Sequence, residues 1–229
     1  MSHQYEHDEY THPDVFTIGV KEGWAEAETD PARINWYERR VRAAIPFKVV
    51  NGRPVNPREK TRVRRGRNEM GWWGENLMAD ALVTLTCGGS RYLLMVERAD
   101  GYGWAVPGGR VEERESALDA AVRELREETG LTVYGKLCRE LPPRYVEDPR
   151  ASGEAWAVTV QVHVDYGDFG PRGPLPWVAG GDDALRAEWV PAGTYETLAG
   201  SLAALHGGKV FAAHVAMLRD YLGTAEGRR

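Results

Sequence analysis

Cysteine is scarce: Cys87 and Cys138 are the two in 229 residues, too few for a disulfide framework, and they read as reduced thiols of a cytoplasmic protein. Long apolar runs are missing as well. No stretch approaches the roughly 20 apolar residues of a membrane span, and the polar start at residues 1–11 lacks the apolar heart of a secretory signal. We therefore expect a soluble, cytoplasmic protein with no membrane partner. An excess of positive charge is absent too: 29 Lys and Arg stand against 34 Asp and Glu, a net charge of −5, which gives no global attraction to a polyanion and argues against nucleic acid as the partner. What the chain does have is 42% hydrophobic residues, enough to bury one large globular domain beside a flanking segment. Nothing in the sequence specifies subunit number.

Residues 1–50 mix polar runs with scattered apolar anchors such as Val15, Trp24, Trp36 and Phe47 and show little sustained period. They read as an irregular N-terminal arm or small cap region, with residues 51–229 as the main domain. The basic, Pro- and Gly-punctuated segment Asn51–Arg67 reads as a loop. Apolar runs at Ala79–Thr86 and Tyr92–Val96 flank Cys87-Gly88-Gly89-Ser90, the composition of a β-hairpin. Further strands are expected at Leu131–Cys138, Ala155–Val164 and Arg186–Val190, and a closing helix at Val210–Leu222.

The clearest element is a helix over 117–129, because Leu118, Ala121, Val122 and Leu125 fall at i, i+3, i+4 and i+7 and form one apolar stripe. Ser116 with Asp119 resembles a capping box, and Gly130 stands where a left-handed C-terminal cap is expected. On this helix Glu124, Glu127 and Glu128 occupy i, i+3 and i+4, so their carboxylates are neighbours. At about 100° per residue, Glu124 and Glu128 flank the apolar stripe and Glu127 lies farther toward solvent. A helix gains nothing from such a cluster near its C-terminal end, where the macrodipole also opposes it. A hard divalent cation resolves the conflict, and clustered carboxylate oxygens suit Mg²⁺ or, as a substitute, Mn²⁺. The glycines of Val106-Pro107-Gly108-Gly109-Arg110 allow close backbone approach to a cation or a diphosphate, and Gly109 can lend a carbonyl. The alternative for the whole helix is a solvated face of ordinary salt bridges.

From Gly109 the chain reads GRVEERESALDAAVRELREETGL, which fits G-x5-E-x7-R-E-U-x-E-E-x-G-U, with U aliphatic, at every specified position. This resembles the Nudix hydrolases. The resemblance implies an α/β/α sandwich with a mixed β-sheet and metal-dependent hydrolysis of a small-molecule nucleoside diphosphate derivative. It makes Glu124 and Glu128 the main metal ligands, with Glu127 adding a ligand or orienting the attacking water. Arg123 joins the catalytic set, paired with Glu115 in a salt bridge that positions helix and loop.

Beyond that motif, the segments NGRPVNP, WGENLMADALVT, GWAVPGG, YVEDPRASGEAW and GGDDALRAEWV, spread over about residues 51–215, are similar to the mitochondrial type of ADP-ribose pyrophosphatase and to the cytoplasmic domain of an ADP-ribose-gated cation channel. This likeness implies ADP-ribose as substrate, with AMP and ribose 5-phosphate as products. The alternatives are another nucleoside diphosphate sugar, a dinucleotide or NADH, and a non-catalytic ADP-ribose sensor. It makes Asp148 and Arg150 either substrate contacts or an Asp-capped turn, and Asp182 or Asp183 a general base or an outer partner of the metal. His206 is either a contact to the terminal ribose or a surface histidine. Trp73 could stack an adenine or be buried for structure. Arg67 belongs to a basic run, Arg58 to Arg67, that could collar an anionic substrate or simply be solvated.

Overall fold

A computed structural model describes residues 5–58, 61–133 and 138–223. In chain order it begins with β1 (His7–Thr11), α1 (Pro13–Phe16), α2 (Ile18–Glu22), α3 (Trp36–Arg42), β2 (Lys48–Val50), β3 (Arg53–Val55) and β4 (Val63–Asn68). Next come β5 (Gly74–Cys87), β6 (Ser90–Arg98), β7 (Trp104–Ala105), β8 (Gly108–Arg110) and α4 (Ala117–Thr129). The chain continues through β9 (Cys138–Glu140), β10 (Arg144–Val146), β11 (Ala155–Asp168), β12 (Ala184–Pro191), α5 (Tyr195–His206) and α6 (Val215–Gly223). A large mixed sheet runs β10-β11-β5-β6-β12, with β7 on β6, β8 on β5 and β9 on β11. The α/β architecture expected from the resemblance is thus present, with helices packed against this sheet.

By their contacts the residues fall into two compact units, residues 1–77 with 143–159, and residues 78–142 with 160–229. In the first, β1 lies parallel to β4, with His7 opposite Val63 and Glu9 opposite Arg65. Its acidic residues face basic ones: Glu6 pairs with Arg62 at 3.6 Å, Asp8 with Arg64 at 3.1 Å and Glu9 with Arg53 at 3.8 Å. Deeper down, the buried Glu154 takes the forked Arg53 guanidinium and the Gly66 backbone N–H. Gly66 is required there, since its φ is +86° and a Cβ would come within 2.3 Å of the Tyr10 carbonyl oxygen.

The second unit is built around Leu82, Leu93, Met95, Trp104, Leu198 and Leu218, all buried, with the inner faces of α5 and α6 closing over them. α4 packs on β8 and β12. Its N-terminus is held by the Ser116 hydroxyl, which accepts from the Asp119 N–H, and its end by Gly130 in the left-handed region. Helix bounds and both caps are those the sequence predicts.

Several expectations need correction. Asn51–Arg67 is not a loop: β2 and β3 form a hairpin through Asn51-Gly52, both at positive φ (51° and 76°), the pairing that a type I′ turn demands, and β4 follows. Leu131–Val133 are not strand, residues 134–137 of the expected strand lie outside the described residues, and β9 begins only at Cys138. The closing helix starts at Val215, because Ala212–His214 form a 3-10 turn. α5 was not expected. Among the described residues no helix is long and apolar enough to cross a membrane.

Candidate active site

α4 presents its carboxylates to the loop that precedes it. Burying the apolar stripe of Ala121 and Leu125 turns Glu128 inward, where it is 5% exposed. Its Oε2 accepts the Gly108 N–H at 2.9 Å. Burial, followed by the charge of Asp183 and a hydrogen bond to it, pushes the Glu128 carboxyl up to about 9. Glu124 lies against the other glycine: a Cβ at Gly109 would come within 2.2 Å of Glu124 Oε1. Burial also pushes the Glu124 carboxyl up, and the adjacent Arg123 partly counters this.

Arg123 is the cation that ties helix to loop. Its Nε and Nη2 fork onto Glu115 at 2.8 and 3.0 Å, Nη1 reaches Glu124 at 2.7 Å and Glu127 at 3.2 Å, and Nη2 also donates to the Arg110 carbonyl at 3.1 Å. The Glu115 carboxyl is held below its usual value, chiefly by this guanidinium. Glu115 in turn accepts the Glu112 N–H at 3.0 Å.

A second loop completes the cluster from the far end of α4. The last carbonyls of a helix lack intrahelical partners; here Glu128 O accepts the Gly181 N–H and Thr129 O accepts the Ala179 N–H, both at 3.1 Å. A Cβ on Gly181 would meet the Glu127 carbonyl oxygen at 2.5 Å, so this seating requires glycine. It delivers Asp182, at φ 50°, to the helix face. Carboxylate oxygens of Glu124, Glu127 and Asp182 lie within 4.8 Å of one another.

From spacing alone Glu124 and Glu128 are the favoured pair of ligands; the structure gathers Glu124, Glu127 and Asp182, and sets Glu128 with Gly108 and Asp183. The donor set fits a hard divalent cation: three clustered carboxylates of one sign, two of them exposed to solvent, beside glycines that leave room for the carboxylate of Glu124.

Other sequence candidates have different surroundings. Arg67 is wholly buried within the first unit, donating from Nη1 to the Glu26 and Gly71 carbonyls at 2.8 and 2.7 Å, with its guanidinium over the Phe16 and Trp73 rings. Trp73 is 3% exposed and donates its indole N–H to Glu28 O at 2.9 Å. Both side chains are buried inside that unit. Arg150 forks onto Asp148, Nε at 3.0 Å and Nη2 at 2.7 Å, and Asp148 also caps the Arg150 N–H at 2.8 Å. His206 ends α5 against Trp104, ring centroids 4.8 Å apart, and Arg186 also lies over Trp104. His214, which the sequence analysis did not single out, sits with Asp80 behind the glycine loop at 3.6 Å. No local motif marks it, since a histidine in the apolar run after α5 looks like any other core position.

A mixed sheet, a glycine loop and a glutamate helix tied by arginine define a class of protein, and the NUDIX domain family matches residues 77–206 of this chain. The chain belongs to that family. It is 34% identical over 163 residues to a putative nudix hydrolase 6 of Caenorhabditis elegans, covering 66% of this chain and 61% of that protein. It is 31% identical over 172 residues to a transient receptor potential cation channel subfamily M member-like 2 of Nematostella vectensis, covering 62% of this chain and 11% of the channel. It is 29% identical over 175 residues to the mitochondrial ADP-ribose pyrophosphatase of Rattus norvegicus, covering 63% of this chain and 49% of that enzyme. The chain thus spans less than two thirds of the length of each of these relatives.

Proposed function

We propose that the protein hydrolyses the diphosphate of ADP-ribose to AMP and ribose 5-phosphate with Mg²⁺, for which Mn²⁺ can substitute. The observation that carries the chemistry is the convergence of Glu124, Glu127 and Asp182 beside the Gly108-Gly109 loop. The choice of ADP-ribose is supported by the flanking segments at 73–84, 145–156 and 180–190 and by the likeness to the rat ADP-ribose pyrophosphatase.

A diphosphate carries two negative charges and repels an incoming oxygen nucleophile. When bound, a divalent cation supplies neutralisation of that charge and acidification of water. Glu124, Glu127 and Asp182 would hold the cation, and the Gly109 carbonyl could add a further oxygen. Arg123 keeps Glu124 and Glu127 aligned and, through Glu115, prevents the helix start from drifting off the loop. Burial and the facing Asp183 favour the neutral form of Glu128 in the cation-free protein, which suits it to donate to Asp183 rather than to act as a base. Asp183, the exposed member of that pair, is the candidate acceptor for the proton of the attacking water. Asp148, Arg150 and His206 are proposed as substrate contacts from the resemblance alone.

Purified protein with Mg²⁺ should give a higher kcat/KM for ADP-ribose than for other nucleoside diphosphate sugars, dinucleotides and NADH. A different best substrate would refute the choice of ADP-ribose while leaving diphosphate hydrolysis standing. Saturable ADP-ribose binding without turnover of any member of the panel would replace the enzyme by a sensor.

A further inference from the structure

The glycine loop is held from behind as well as from α4. Val106, which opens it, donates its backbone N–H to His214 Nδ1 at 3.3 Å. An imidazole nitrogen that accepts carries no hydrogen, so this contact fixes the tautomer: Nε2 bears the hydrogen and faces Asp80 Oδ1 at 3.6 Å. Both side chains are buried, His214 7% and Asp80 5% exposed as residues. Asp80 is the register partner of Gly108 in the β5–β8 pairing, and a Cβ on Gly108 would lie 2.6 Å from its Oδ1. Between these two contacts the Pro107 carbonyl accepts the Ala81 N–H at 2.8 Å. The loop therefore lies between His214 and Asp80 on one side and Glu124 and Glu128 on the other.

We propose that His214 and Asp80 are positioning residues for the reaction: a buried bracket that fixes the backbone of Val106–Gly109, and through it the Gly108 N–H on Glu128 and the surface against which Glu124 rests. A histidine and an aspartate are expensive to bury for packing alone, since an apolar pair of the same volume would avoid the desolvation. What they add is direction. Nδ1 admits one backbone donor, and the carboxylate 3.6 Å from Nε2 favours the hydrogen on that nitrogen. The proposal rests on the reading of α4 as the cation-holding element.

The test uses the full chain with three variants, His214→Leu, His214→Asn and Asp80→Asn, and two readouts besides turnover. One is amide hydrogen exchange of the segment 104–111 in cation-free protein; the other is Mn²⁺ affinity by titration. Asparagine places its Oδ1 where His214 holds Nδ1, so His214→Asn retains the acceptor for Val106. The expected result for His214→Leu is faster exchange confined to 104–111, Mn²⁺ affinity lower by about 10- to 100-fold, and a fall in kcat that exceeds any rise in KM. His214→Asn should restore protection and most of the affinity, and Asp80→Asn should fall between. Exchange that rises throughout the second unit, or not at all, or that is as fast in His214→Asn as in His214→Leu, overturns the bracket. Wild-type protein that fails to hydrolyse ADP-ribose, while His214→Leu still loosens 104–111, defeats the proposed function and leaves the bracket standing.

Discussion

Charge is used in opposite ways around β1 and β4 of the first unit and on α4 of the second. In the first, each of Glu6, Asp8, Glu9 and Glu154 meets an arginine, and the buried Glu154 is satisfied by both the Arg53 fork and a backbone N–H. In the second, Glu124, Glu127, Glu128, Asp182 and Asp183 crowd the face of α4, where Arg123 meets Glu124 and Glu127 and Arg126 lies 3.8 Å from Glu127. Matched pairs hold backbone together at little electrostatic cost. On α4 the acids outnumber the arginines that meet them, and on the proposed function a divalent cation would supply the remaining positive charge.

This contrast can be broken at its strongest point first. Glu154→Ala leaves the Arg53 guanidinium facing an emptied acceptor site, and we expect it to cost about 3–5 kcal/mol of stability by denaturant titration, the usual cost of orphaning a buried partner. Cation affinity should be unchanged; a variant that loses Mn²⁺ binding while remaining folded would show that the pair serves the site. In the acidic cluster the opposite pattern is expected: Glu124→Gln or Glu127→Gln should lower kcat by about 100-fold or more while leaving the melting temperature in cation-free buffer unchanged or raised. Lowered stability with full turnover would reverse the assignment.

The acidity of Glu128 sharpens the comparison through pH. Its folded value of about 9 lies above the ordinary 4.5, so between these values the folded state binds more protons than the unfolded. Stability contributed by this group is therefore complete below about 4.5 and declines as pH rises toward 9. Cation-free wild type should lose more stability over that window than Glu128→Gln, by paired denaturant titrations at pH 5 and pH 8.5. Equal slopes would remove Glu128 as the group responsible. The smallest effect is expected at the exposed edge of the first unit, where Arg64→Ala should cost under about 1 kcal/mol and be indistinguishable from wild type in high salt.

The sequence made α4 legible because everything that specifies it is local: a stripe at helical spacing, Ser116 with Asp119 at one end, Gly130 at the other. The adjacency of Glu124 and Glu127 followed from the same spacing. The part that was not legible depends on contacts distant along the chain. Asp182 joins the cluster because Ala179 and Gly181 donate to the open carbonyls at the end of α4, and no property of the GGDD segment by itself announces that docking. Asn51-Gly52 was a readable hairpin signal masked by the surrounding Pro and Arg. Arg67 looked like one more member of a basic run; only the N-terminal residues Phe16 and Glu26, folded around it, turn it into a buried structural group. Fold class was therefore open to a family pattern, whereas which acidic residue of a distant loop meets the glutamates of α4 was not.

The seating of the 179–184 loop on α4 bears on when the site comes into being during folding. Glu127 and Asp182 are far apart in sequence, and the contact that unites them closes a long loop whose entropic cost must be met before the cluster exists. An isolated α4 cannot assemble it, so on the proposed function a divalent cation would find the three gathered carboxylates in the folded chain and not in the unfolded one. Such selectivity would make the cation a thermodynamic partner of the native state: its concentration, through mass action, should set how much folded protein survives heating.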